Sequence, residues 1–342
     1  FRVSLPSKTN PLWVSFSILL TACTSGPVDV EPATATGEPT PNPSPTEATL
    51  PTEPLATQPE ATHGAAVTYT GPAGAYAIGA PVVQDVWIDI VNGDDSRSGA
   101  TRGEALRTLD EAWNRIPMGA ELTLGRRLLL APGTYPEEAL PNYLESRYGT
   151  AQFPIIFQAA DGPGTVTLAG DLNVFDVRYL YLLDLIIIPD PPGDVFHCER
   201  CDHLLIRNSV LDGGGAAHET IKANQSQYLY IESSDISGTY ENAIDFVAVQ
   251  YAHILGNRLH GAEDRCAYVK GGSAYIRVEG NEFYDCGTGG FSTGQGTGFQ
   301  YMVAPWLQYE AYDIKVVNNL IHDTDGACLG VNGGYNILMA HN

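Results

Sequence analysis

Ile206-Arg207-Asn208, Ile231-Glu232-Ser233-Ser234, Ile254-Leu255-Gly256-Asn257, Val278-Glu279-Gly280-Asn281, Val316-Val317-Asn318-Asn319 and Met339-Ala340-His341-Asn342 are versions of one phrase. Each is a short β-rich run closed by Asn or Ser. The closing residue recurs at 208, 234, 257, 281, 319 and 342, so the steps are 26, 23, 24, 38 and 23 residues. The long step reads as an ordinary one carrying a loop insertion, which is where repeat architectures accept extra residues.

A period in the low twenties, with Gly and Asn at the corners, predicts a parallel β-helix in which each coil gives a strand to each of two or three sheets. Coils stack at the ordinary strand spacing of about 4.8 Å, so equivalent residues form columns. A buried Asn column is self-consistent, since stacked amides bond one another and the neighbouring turn. A β-sandwich with regular turns would show no such phrase.

Around this repeat the chain divides into three parts. Residues 1–23 read as an export signal, with Arg2 and Lys8 before a short apolar run from Pro11 to Leu20. That run is too short to span a membrane. Residues 24–65 are a linker crowded with Pro, Thr, Glu and Ala, a composition that stays extended and cannot bury a core. Residues 66–342 carry the β-helix, and the chain ends at Asn342, where the next coil should begin, so a C-terminal truncation is expected. Eighteen Lys and Arg stand against 40 Asp and Glu, a formal net charge of −22. Nucleic acid is therefore excluded as a partner, and an acidic glycan would need a metal ion or a local basic patch. The expected state is a monomer.

Before the repeats, Val86-Trp87-Ile88-Asp89-Ile90 reads as a strand closed by Asn92-Gly93-Asp94-Asp95. Glu104 to Ile116 follows, with Leu106, Leu109, Trp113 and Ile116 at helical spacing, then Leu128 to Tyr135 returns as strand and turn. Strand, NGDD, amphipathic helix and LLLAPGTY resemble the N-terminal cap of the right-handed parallel β-helix family, the pectate-lyase-like superfamily. That resemblance, over about Val82 to Asn342, implies an all-β, right-handed solenoid with a capping helix. Leu20-Thr21-Ala22-Cys23 resembles the bacterial lipoprotein signal. It implies lipidation at Cys23, membrane attachment through that lipid alone, and a site at the cell surface or outside the cell.

Cys266 and Cys328 align in one column two coils apart, too far for a disulfide, and read as buried apolar fillers. On an extended strand Cys198 and Cys201 would point to opposite faces, which argues against a shared zinc ion.

The glycine register aligns Lys270, Gln295 and Asn332, with Asn224 near the same column two coils earlier. Such a ladder offers donors and acceptors at sugar-like spacing, although a solvated sheet face would look the same. The insertion from about Gly298 to Tyr312 carries Phe299, Tyr301, Trp306, Tyr309 and Tyr312; Trp306 and Tyr309 are the candidates for stacking on sugar rings. Glu241 and Asp264 lie 23 residues apart, one coil above the other, with Asp245 and Glu263 in the same turns. Stacked carboxylates repel unless a cation lies between them, and Ca²⁺ takes such oxygens readily.

Glu263 followed by Lys270 resembles the calcium-acid-then-lysine segment of the alginate and chondroitin lyase branch; Phe291-Ser292-Thr293 occupy the level of that branch's arginine. The resemblance implies a polysaccharide lyase in which Ca²⁺ neutralises a uronic carboxylate and Lys270 removes the C5 proton before β-elimination. Glu241, Asp245, Glu263 and Asp264 are then the metal ligands. Two alternatives stay open: a non-catalytic glycan-binding or adhesion module, and a polygalacturonase-like hydrolase, whose motif Asp323-Thr324-Asp325-Gly326 resembles without its Gly-His-Gly partner.

Overall fold

The stacking read from the repeated phrase is realised coil by coil. A computed structural model describes residues 74–189, 193–302 and 308–342. Within them the chain is a right-handed parallel β-helix with three sheets, here called A, B and C. Sheet A has ten strands, from Val83–Ile88 to Gly334–Ala340, and sheets B and C have eight each. One coil gives the order: Ile221–Asn224 in sheet C, Gln227–Glu232 in sheet A, Asp235–Thr239 in sheet B, then Ile244–Val247 back in sheet C.

The repeated phrase is the corner from sheet A to sheet B. Its penultimate residue lies in the left-handed region at Ser233, Gly256, Gly280, Asn318 and His341, which is why Gly and Asn recur there. The last residue then turns inward and is buried at Ser234, Asn257, Asn281 and Asn319. Asn257 N and Nδ2 both donate to Asn281 Oδ1, at 2.9 and 3.0 Å, and Nδ2 also reaches Ile231 O at 2.9 Å. Asn281 repeats this on Asn319, and Asn319 on Asn342. The column begins one residue later than expected. Asn208 is the exposed corner residue, donating to Asp184 Oδ1, while Ser209 N bonds Ser234 Oγ inside.

Leu, Ile, Val and Phe from all three sheets fill one continuous core. A second apolar patch, Ile156, Tyr181, Leu205 and Tyr230, lies against Tyr76 and Ile78 of the segment that leads into the first coil. Tyr76 is pinned there: its N–H donates to Glu232 Oε1 at 2.6 Å and its ring stacks on Tyr230 at 4.4 Å. Along sheet A the rings of Tyr179, His203, Tyr228, Tyr251 and Tyr275 stack on one another at 4.2, 4.3, 5.1 and 4.8 Å, a direct trace of the coil spacing.

The capping helix is shorter than its apolar spacing suggests. It spans Leu109–Asn114, with the Thr108 hydroxyl accepting from Glu111 N, whereas Leu106 bridges to Ile88 as extended chain. Leu109, Ala112, Trp113 and Ile116 are buried, with Trp113 edge-on to Phe157 of the core. Gly93 of the NGDD turn is required by close approach, because a Cβ there would stand 2.1 Å from Leu106 O.

Two cysteine readings need correction. Cys266 is bonded to Cys286, across the corner between sheets B and C, and Cys328 is exposed, so neither is a buried apolar filler. Cys198 and Cys201 do not point to opposite faces. Arg200 between them is in the left-handed region, so the chain turns and both sulfurs enter the core.

Asn281→Ala removes the acceptor of two Asn257 donors and the donor to Ile254 O, leaving buried polar groups unpaired. It should cost about 2–4 kcal/mol in denaturant unfolding, against less than about 0.5 kcal/mol for the exposed corner change Asn208→Ala.

Candidate functional site

Parallel register turns the outward positions of sheet C into two columns of side chains. His197, Lys222, Asp245, Tyr268 and Ser292 are partners in successive strands. Two residues further along each strand, Glu199, Asn224, Val247 and Lys270 form the second column. Sequence spacing finds the second column through Asn224 and Lys270 and misses the first, although the 25-, 23- and 23-residue steps from His197 to Lys222, Asp245 and Tyr268 carry the same period.

Lys222 and Asp245 of the first column and all four residues of the second floor a groove of about 680 Å³, walled on one side by Gly296, Thr297, Gly298, Gln300 and Tyr301. Lys270 Nζ donates to the Tyr268 hydroxyl at 2.9 Å and to Gln295 Oε1 at 3.3 Å. Lys222 Nζ stands between Asp245 Oδ2, at 3.4 Å, and Glu219 Oε1, at 3.7 Å. Asn242 supports this floor, its N–H donating to Glu219 Oε2 at 2.7 Å. Asn224 Nδ2 lies 3.0 Å from His197 Nε2.

Electrostatics separate these groups. Burial and the adjacent Asp245 push Glu219 up to about 8, against the pull of Lys222 and Asn242, so it keeps its proton at neutral pH. Burial alone would lower Lys222, but the Asp245 and Glu219 carboxyls outweigh it and hold Lys222 above its ordinary value. Burial keeps His197 below its usual range despite Asp194, so its ring is neutral near pH 7. Burial first, then Asp245 and Glu219, hold the Tyr268 phenol firmly protonated. Two groove-lining residues carry buried oxygens without a partner among the described residues, Asp245 Oδ1 and Thr297 Oγ1.

The residues singled out from sequence are placed as follows. Asn224 and Lys270 share the groove. Gly294, rather than Gln295, occupies the Lys270 column, since the register pairs Val269, Thr293 and Val331. Gln295 reaches Lys270 from the side and, with exposed Asn332, lines a smaller neighbouring cavity. Tyr309 stacks on Tyr335 at 4.9 Å and is not among the groove-lining residues. Trp306 and Cys23 lie outside the described residues. Glu310 fastens the insertion to the body through Gly271 N and Thr297 N. Phe299 and Tyr301 beside the groove are 80% and 58% exposed, free to meet a sugar ring.

The four acids expected to share a metal do not converge. Asp264 accepts from Thr288 and Arg265, and Glu263 faces a separate cavity with Asp285, Asp323 and Asp325. Asp245 is engaged by Lys222. Glu241 does stack on Asp264, which donates its N–H to Glu241 O at 3.0 Å. Among the described residues the one group of three or more His, Cys, Asp or Glu with ligand atoms within 4.8 Å of one another is His218, Glu219 and Glu241. Asp323 and Asp325, the hydrolase motif, share no cavity with Lys270.

Residues 194–342 match the family model described as the right handed beta helix region. No curated protein matches the chain. Three solved structures are similar in fold. Pectate lyase Pel9A is 12% identical with a TM-score of 0.45, over 75% of this chain and 80% of that one. The periplasmic alginate epimerase AlgG is 9% identical with a TM-score of 0.44, over 66% of this chain and 60% of that one, so the chain spans less than two thirds of its length. The A-module of the Azotobacter vinelandii mannuronan C-5 epimerase AlgE4 is 12% identical with a TM-score of 0.42, over 74% and 76%.

If Lys222 neutralises the buried Asp245 carboxylate beside it, Lys222→Met should lower stability by about 2–4 kcal/mol, as breaking a buried ion pair does. Lys270→Met, which strands no carboxylate, should stay within about 1 kcal/mol. Urea unfolding of both variants makes the comparison.

Proposed function

We propose that the sheet C groove binds a uronic-acid polysaccharide and cleaves it by β-elimination, with Lys270 as the base. The observation that carries this reading is the placement of Lys270 over a groove floored by Lys222 and Asp245. A chain with a net charge of −22 needs a local cation to hold an acidic glycan, and the groove supplies Lys222.

The chemistry follows from the substrate. The C5 proton of a uronate becomes removable when the charge of the attached carboxylate is offset. Lys222, held charged by its neighbours, is the fixed cation for that task. The Lys270 amine takes the C5 proton, the electrons form the C4–C5 double bond, the C4–O bond breaks, and the leaving oxygen takes the proton back from the Lys270 ammonium, which returns the amine to its starting state. Tyr268 orients Lys270 from below by its hydroxyl and by its ring, whose centroid lies 4.3 Å from Nζ. Tyr301 and Phe299 flank the path of the glycan.

A divalent cation remains part of the proposal, and an imidazole beside two carboxylates suits an ion that accepts nitrogen better than the Ca²⁺ expected from the sequence. His218, Glu219 and Glu241 would hold it, next to Lys222, and it would add positive charge against the uronate carboxylate. Binding there must displace the proton on Glu219. Lipid anchoring at Cys23 and a place at the cell surface are proposed on the sequence alone.

Incubation with pectate, alginate or chondroitin should raise the ultraviolet absorbance of the unsaturated uronide on at least one of them. Lys270→Ala should lower that rate by about 100-fold or more without unfolding the protein. If no uronide yields the signal while one of them still binds, the groove belongs to a non-catalytic glycan-binding module.

A further inference from the structure

The corner brings Cys198 and Cys201, both free thiols in this structure, to the same part of the core. Cys198 lies on the inward side of the sheet C strand Phe196–Glu199, and Cys201 stands just past the left-handed Arg200, at the entry to the next sheet A strand. Both are buried, at 0% and 2% exposure. Their sulfurs converge on the same part of the core. Cys198 Sγ is 3.9 Å from Ser226 Oγ, and that oxygen accepts from Cys201 N at 2.9 Å. Cys201 Sγ is 4.0 Å from the carbonyl oxygen of Val174, the residue paired with Cys198 in the next strand of sheet C. Among the described residues no third His, Cys, Asp or Glu joins the pair with ligand atoms within 4.8 Å. The same chain closes a disulfide between Cys266 and Cys286, so its folded state belongs where disulfides persist.

We infer that Cys198 and Cys201 form a second intramolecular disulfide in the mature protein, locking the corner between sheets C and A beside the groove. The flanking residues give the bond a function. His197 and Glu199, on either side of Cys198, face outward into the two columns of the site. A covalent corner fixes both, together with Asn224, which is bonded to His197. The oxidation is a two-electron exchange. A thiolate from one cysteine attacks a disulfide of small-molecule or protein origin, and the second cysteine displaces the mixed disulfide. The co-reactant leaves as two thiols, which take up both hydrogens. Because both sulfurs are buried in the folded chain, closure precedes final packing, and the finished bond is shielded from reductant.

Trypsin offers a direct test, since it cleaves at Arg178, Arg200 and Arg207 and so severs the chain between the two cysteines. The full chain would be secreted into an oxidising compartment and purified without reductant. It would then be equilibrated with glutathione mixtures up to fully oxidised, quenched in acid, and alkylated under denaturing conditions before digestion. The inference expects peptides 179–200 and 201–207 to travel as one disulfide-joined species, separating only after reduction, with the Cys266–Cys286 bond as internal reference. Alkyl groups on both Cys198 and Cys201 at the most oxidising ratio would overturn it, and so would a bond from either one to Cys328. None of these outcomes depends on lyase activity.

Discussion

The constraint on which everything else rests is register between coils. Parallel strands of adjacent coils are hydrogen-bonded residue to residue, so a side chain at one level dictates what stands directly above and below it. The inward Asn column enforces that register at the corner from sheet A to sheet B. Each amide saturates the backbone of the coil before it, and a slip of one residue would strand several buried polar groups. The stacked rings on sheet A obey the same spacing from the outside. Function is then a matter of what the register lines up on sheet C.

There the register assembles charges that would be costly elsewhere. Glu219, Lys222 and Asp245 come from adjacent coils and meet on the floor of one groove, where a single lysine serves two carboxyls. Burial first, then the neighbouring Asp245 charge, keeps the proton on Glu219 up to about 8. A site with this imbalance favours further positive charge and binds an acidic ligand only where its lysines are presented. Lys270, tied to Tyr268 and Gln295, is the lysine presented most directly to the groove.

Much of this was legible in the residues because period and column are properties of sequence. The β-helix, the strand spacing, the buried Asn column, the pairing of Glu241 with Asp264 across a coil and the shared groove of Asn224 and Lys270 all follow from counting. What escaped depended on corners, where one left-handed residue changes which way the next side chain points. Asn208 and Ser209 are adjacent and both polar, and only the backbone decides that Ser209 faces inward. Arg200 does the same for Cys201. Gln295 falls one residue past the Lys270 column, whose place is taken by Gly294, where a Cβ would stand 1.9 Å from Asn332 O. Lys222 and Tyr268 were hidden for a different reason. Their column mixes His, Lys, Asp, Tyr and Ser, so no repeated residue type marks it.

The central claim is that sheet C's outer face, at Lys222, Asp245 and Lys270, is where an acidic glycan binds and reacts. The most direct measurement is a crystal structure of the Lys270→Ala variant with a uronate oligosaccharide. The account predicts electron density for the sugar chain along the groove, one carboxylate beside Lys222 and its C5–H bond aimed at the space vacated by the Lys270 amine. An oligosaccharide seated instead in the cavity of Glu263, Asp285, Asp323 and Asp325, or on the stacked rings of sheet A, would contradict it.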